Sequence, residues 1–189
     1  MKQFKFIAVI ALVCCVTNLA AQSEAEMKAW QTFMTPGEPH KLLATSAGNW
    51  TEKISMWMDP SAPPTLTTTT TKSEMIMGGR YLMATSKGEM MGMPFEGMSI
   101  MGYDNAKKVY TSTWIDNMGT AVISMEGTWD DATKSVNFKG KSLDPMTGKE
   151  MMMRQVIKII DDDTQEFYMY DIKNGKETKT MEIKSTRNK

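Results

Sequence analysis

Gly48-Asn49-Trp50-Thr51-Glu52-Lys53-Ile54-Ser55-Met56-Trp57-Met58 is the stretch on which the fold turns. Its side chains alternate: Trp50, Ile54, Met56 and Met58 share one face with Glu52, and Thr51, Lys53, Ser55 and Trp57 share the other. A period of two with one apolar face is the pattern of a half-buried β-strand. The closing stretch repeats it, with Met181, Ile183, Ser185 and Arg187 opposite Thr180, Glu182, Lys184 and Thr186. Trp50 and Arg187 therefore both fall on inward faces.

Between these two strands the chain keeps one texture. Segments rich in Thr, Tyr, Trp, Ile, Val and Met are separated by turn chemistry such as Asp59-Pro60 through Pro64, Gly78-Gly79, Gly92 to Pro94, Asp104-Asn105, Asp130-Asp131, Asp144-Pro145 with Gly148, Asp161 to Thr164 and Asn174-Gly175. About ten strands fit the intervals, near 49–58, 65–77, 80–90, 95–103, 107–116, 120–129, 134–143, 150–160, 165–172 and 177–187. Short turns make consecutive strands antiparallel. A meander this long buries its edges by closing, so the reading is a mainly β protein, a single antiparallel up-and-down barrel. The Thr67 to Thr71 run reads as an edge-like strand, because threonine favours extended backbone.

Upstream, Ser23 and Glu26 have the form of a capping box, and Met27, Trp30, Phe33 and Met34 recur at helical spacing, which predicts a helix over Glu24 to Met34. A second short helix is expected from Pro39 to Ser46, so 24–47 is a helical lead-in to the barrel. Lys2 and Lys5, the apolar run Phe6 to Val16 and the small residues Ala20-Ala21 read as a cleavable signal peptide over 1–21. The domain is then 22–189, exported to the periplasm or medium, with no membrane insertion after cleavage. Cys14 and Cys15 leave with the signal, so the domain has no thiol for a disulfide, a metal site or a nucleophile. Removing Lys2 and Lys5 takes the balance from 22 basic and 22 acidic residues to 20 against 22. A slightly acidic domain with no basic patch is a poor nucleic-acid partner.

The pairing of Gly48-Asn49-Trp50 on the first strand with Arg187 on the last resembles the calycin, or lipocalin-like, barrels, in which a G-x-W tryptophan packs under an arginine of the closing strand. That resemblance makes Trp50 and Arg187 structural residues. The chain also looks like the bacterial exported family catalogued as domain of unknown function 1579. The matching stretches include Gly78-Gly79-Arg80-Tyr81-Leu82, Gly92-Met93-Pro94-Phe95-Glu96-Gly97, Gly102-Tyr103-Asp104-Asn105, Ser112-Thr113-Trp114-Ile115-Asp116-Asn117-Met118-Gly119-Thr120 and Asp161-Asp162-Asp163-Thr164. It implies a fold and brings no activity with it.

Charged or polar residues on inward faces are the candidates for a ligand cavity, because a buried charge is costly unless it is paired or meets a ligand. Strand parity nominates Glu52, Arg80, Trp114, Asp116, Glu126 and Arg154. Each also has a plainer reading as a buried ion pair, a residue at the barrel mouth or a parity broken by a bulge. Asp116 with Glu126 would be the carboxylate pair of an acid–base enzyme. No nucleophile, metal, phosphate or dinucleotide motif supports catalysis, and no catalytic residue is assigned.

The 21 methionines cluster at Met90-Met91-Gly92-Met93, at Met98 and Met101, and at Met151-Met152-Met153. Thioethers suit Cu(I), yet alternate methionines on a strand are also a core face, and the second reading is preferred, with no metal or other cofactor. Some calycin barrels of the nitrobindin type hold haem through a late histidine; the one histidine here, His40, precedes the barrel and reads as a surface residue at a helix start. Asp161-Asp162-Asp163 lacks the spacing of a calcium loop and reads as a tight turn. The expected function is an exported binding protein holding a small, largely apolar or lipid-like ligand inside the barrel. The alternatives are a cell-envelope interaction module, for which Trp57 on the outer face is the hint, and an enzyme using interior carboxylates.

Overall fold

The computed structural model describes residues 23–144 and 147–189, so the proposed signal peptide over 1–21 lies outside the described residues. The chain divides into two compact units, one ending at Thr35 and one spanning Pro36–Lys189. In the first, residues 23–34 form helix α1, which carries the expected stripe of Met27, Trp30, Phe33 and Met34, all exposed.

The second unit opens with helix α2, Glu38–Ala44, and continues as ten strands. These are β1 Gly48–Met56, β2 Thr65–Ile76, β3 Tyr81–Met90, β4 Met93–Asp104, β5 Val109–Asp116, β6 Ile123–Asp130, β7 Ser135–Leu143, β8 Glu150–Asp161, β9 Thr164–Lys173 and β10 Lys176–Arg187. Every strand pairs antiparallel with its chain neighbour, and β1 pairs with β10, which closes the barrel. The two-residue turns use chemistry the sequence advertises. Met91-Gly92 and Asn174-Gly175 have positive φ at both positions, the geometry whose twist matches paired strands.

Closure corrects the reading of the threonine run. Strand β2 is no edge, because it lies between β1 and β3, with Thr69 opposite Glu52 and Thr71 opposite Ser86. Its alternate threonines Thr69 and Thr71 are buried on the inward face.

Inside, apolar side chains gather at two ends. Leu43 of α2 packs with Leu82, Tyr110, Met125, Val136, Phe138 and Met153, so the helix covers one end of the barrel. Ile54, Met90 and Phe95 form a second cluster toward the other end, flanked by Met56, Trp114, Met118, Met181 and Ile183. Burial of aliphatic and aromatic surface of this kind, at about 25 cal/mol per Å², is the main term holding the closed sheet together.

Trp50 and Arg187 meet as the resemblance implies. They are register partners, and the Arg187 guanidinium sits 4.2 Å from the Trp50 ring centre. Its Nε donates to the Asp162 carbonyl at 2.8 Å, its Nη2 to the Thr45 carbonyl at 2.8 Å and its Nη1 to the Ala47 carbonyl. Gly48, at φ 138°, is required here, since a Cβ would collide with that guanidinium. The acidic turn after β8 thus has a structural task, with Asp161 Oδ1 accepting from the Asp163 amide and Asp163 reaching Arg187 at 3.4 Å.

Candidate functional site: the barrel lumen

Between the two apolar clusters the inward side chains of one wall are short and polar. Along β1 the order is Trp50, Glu52, Ile54; along β3 it is Leu82, Ala84, Ser86; and along β5 it is Tyr110, Ser112, Trp114. With Thr69 and Thr71 these residues make a belt of hydroxyls on the strands around β1. The wall opposite belongs to β6–β9 and is mainly apolar, presenting Met125, Phe138, Met153, Phe167 and Met169, with Gln155 and Asp171 among them. The ten-strand ring places β6 diametrically across from β1.

These side chains do not fill the inside. Gln155, Phe167, Met169, Met181 and Ile183 all point inward in a fully paired sheet, yet each is only half-buried. Part of the surface of each therefore stays open to water. Trp114 lies flat against the wall: its ring covers Gly97, where a Cβ would collide with it, and it stacks on Phe95 at 6.3 Å.

Glu52 is the charged group set deepest in this lumen. Thr69 Oγ1 donates to its Oε2 at 3.0 Å, and Thr71 also hydrogen-bonds it. No ion pair to Glu52 occurs among the described residues. Burial raises its pKa above the ordinary carboxyl value, and the two threonine hydroxyls only partly oppose that shift. Asp116 also faces inward, but it is committed locally, accepting from Trp114 Nε1 at 2.7 Å and from the amides of Met118 and Gly119. Asp171 shares the inward face of β9, and burial raises its pKa as well.

Of the residues nominated from sequence, Glu52, Trp114 and Asp116 line the lumen and three do not. Glu126 is on the outer face between buried Met125 and Gly127, exposed and bonded to Lys107 Nζ at 2.7 Å. The barrel wall separates it from Asp116, so these two cannot act as a carboxylate pair. Arg154 is also outside, since Met153 takes the inward position; it lies 4.1 Å from the Tyr170 ring and makes two 2.7 Å hydrogen bonds to Glu177. Arg80 sits in the turn between β2 and β3 at the α2 end, donating to the Met77 carbonyl.

His40 is a further correction. It is buried, with Nδ1 accepting from the Gly37 amide at 3.0 Å and its ring edge-on to Tyr103, so it locks the start of α2 onto β4. Burial first, and then the charge of Arg80, lower its pKa, while a hydrogen bond to the Tyr103 backbone works the other way. The methionine clusters are divided: Met90, Met151 and Met153 take inward positions and Met152 an outward one, while Met91 lies in the β3–β4 turn and Met93, the register partner of Met90, is exposed at the strand end. Sequence reasoning missed Thr69, Thr71, Ser86 and Asp171. The first two could have been found by giving the threonine run the same alternation as β1.

A second concavity lies at the covered end, a cleft of about 700 Å³ between α2 and the Tyr103, Tyr110 and Trp129 side chains. Its lysines are largely engaged, Lys41 with Glu38 and Lys134 with Asp131.

A closed ten-stranded antiparallel barrel, tied by a tryptophan–arginine pair and enclosing a half-polar lumen, defines a calycin-like barrel protein. The chain belongs to the family described as Protein of unknown function (DUF1579), which matches residues 35–187. No curated protein matches it.

Proposed function

We propose that this protein is exported and holds a small, largely apolar molecule within its barrel. The observation that carries the reading is the half-burial of inward Phe167, Met169, Met181 and Ile183, which leaves apolar surface open to water. Apolar walls with a few convergent polar groups are the usual make-up of a ligand cavity, and Glu52 with its threonines supplies those groups. Export draws on the signal-like segment over 1–21.

The test is native mass spectrometry of the protein purified from its own host, followed by extraction and titration with the neutral apolar fluorophore N-phenyl-1-naphthylamine. A co-purifying small molecule and saturable probe binding are expected. A bare protein that excludes the probe would overturn the reading.

A second reading, an interaction module, draws on the outer face of β8–β10. There Lys179 Nζ lies 4.6 Å from the Trp57 ring, beside Tyr168 and the Arg154–Tyr170 pair. Aromatic and cationic side chains in such a patch suit protein contacts, and loss of a partner on Trp57→Ala with probe binding intact would favour it.

A further inference from the structure

Apart from Arg187 and the two lysines of the β9–β10 tip, the charges on the inward faces of the described strands are acidic. Glu52, Asp116 and Asp171 point in from β1, β5 and β9. Arg187 is the cation at the covered end, and it is consumed by three carbonyls and the Trp50 ring. At the opposite end Lys173 and Lys176 occupy the exposed β9–β10 tip, where Lys173 pairs with Asp144. The other lysines and Arg154 of the described strands project outward, as the pairs Lys87–Glu96, Lys141–Glu150 and Arg154–Glu177 illustrate.

We propose that the lumen selects apolar molecules whose polar end is a protonated amine, seated against Glu52. The inference rests on the lumen-binding reading above and adds the chemistry of the ligand's head. A carboxylate offers about four acceptor sites, and the threonine hydroxyls that donate to Glu52 leave part of that capacity unused. An ammonium has three N–H donors and no acceptor. Against Glu52 it would make a charge-assisted hydrogen bond, and Thr71 and Ser86, whose hydroxyls meet at 2.7 Å, offer it further lone pairs.

The amine's apolar body would lie against Met125, Phe138 and Phe167 on the far wall. A fatty-acid carboxylate would fit the same walls but bring a second negative charge beside Glu52, with no inward cation at that depth among the described residues to meet it. Like charges in a poorly solvated space repel strongly. Asp116 and Asp171 add to the same sign without being the seat.

The experiment compares dodecylamine, dodecanol and dodecanoate as competitors of bound N-phenyl-1-naphthylamine, on the wild-type protein and on Glu52→Gln. The wild-type protein should bind dodecylamine at least about tenfold more tightly than dodecanoate, the size expected of one charge-assisted hydrogen bond in place of a repulsion. Glu52→Gln should remove most of that preference, read as the ratio of dodecylamine to dodecanoate affinity within the variant itself. Equal or tighter binding of dodecanoate, or an unchanged preference in Glu52→Gln, overturns the proposal and leaves lumen binding standing. Exclusion of the neutral probe and all three competitors overturns both. The ranking on the wild-type protein stands alone should the variant fold poorly.

Discussion

Replacing Arg187 by Ala tests whether the chain ends close the barrel as described. The guanidinium joins three segments at one point: the end of β10, the turn after β8 through the Asp162 carbonyl, and the link from α2 to β1 through the Thr45 and Ala47 carbonyls. Its side chain is 23% exposed, so solvent screening lowers each hydrogen bond to the size of an ordinary neutral one. Three such bonds at about 1 kcal/mol, with a cation–π contact of about 1 kcal/mol, give about 4 kcal/mol. A domain of this size loses about 2–4 °C of Tm per kcal/mol, which predicts a fall of about 8–16 °C. Calorimetry or circular dichroism measures it. Arg187→Lys should recover less than half, because one ammonium cannot reach three diverging carbonyls. Below the transition, affinity for the neutral probe should be unchanged. A Tm within about 2 °C of wild type would refute the reasoning, as would selective loss of probe binding in a folded variant.

Three further expectations follow from the interior. Gly97→Ala puts a methyl group into the Trp114 ring and forces it off the wall, so denaturant unfolding should show a loss of about 1–3 kcal/mol with a shift in tryptophan emission; wild-type stability would mean that the ring does not lie there. Glu52 has its folded pKa raised by burial above 4.5, so the folded state holds its proton more tightly than the unfolded chain. The stability this provides is present in acid and lost as pH rises through the raised pKa. Glu52→Gln should therefore match wild type in acid and exceed it at neutral pH, and parallel pH–stability curves would contradict this. Burial, with Tyr103 adding to it, pushes the Tyr110 phenol up to about 12 from 10.0, so its contribution is intact below 10.0 and lost between there and about 12. Tyr110→Phe should flatten the alkaline loss of stability over that interval, and an equal loss in both proteins would show that Tyr110 ionises freely.

The sequence by itself determined the strands and their order. Alternation and turn residues act within a few positions of each other, and Gly78-Gly79 and Asn174-Gly175 suit the positive φ that their turns adopt. Trp50 and Arg187 were legible for the same reason, since β1 and the stretch of β10 from Met181 to Arg187 alternate without interruption. What the lumen contains was decided by tertiary structure, because inward parity is fixed by register around a closed ring and not by local composition.

Where alternation was blurred, the reading from sequence went astray. Glu126 follows Met125 and precedes Gly127, whose missing side chain hides the inward position it occupies. Arg154 follows three methionines that suit either face. The threonine run looked like an edge because threonine alone does not say which face is wet, and only closure between β1 and β3 turned Thr69 and Thr71 inward to meet Glu52. His40 became a buried cap because α2 folds onto β4, a contact between segments more than 60 residues apart in the chain. Local chemistry set the strands, and long-range closure decided which of their side chains face one another across the barrel.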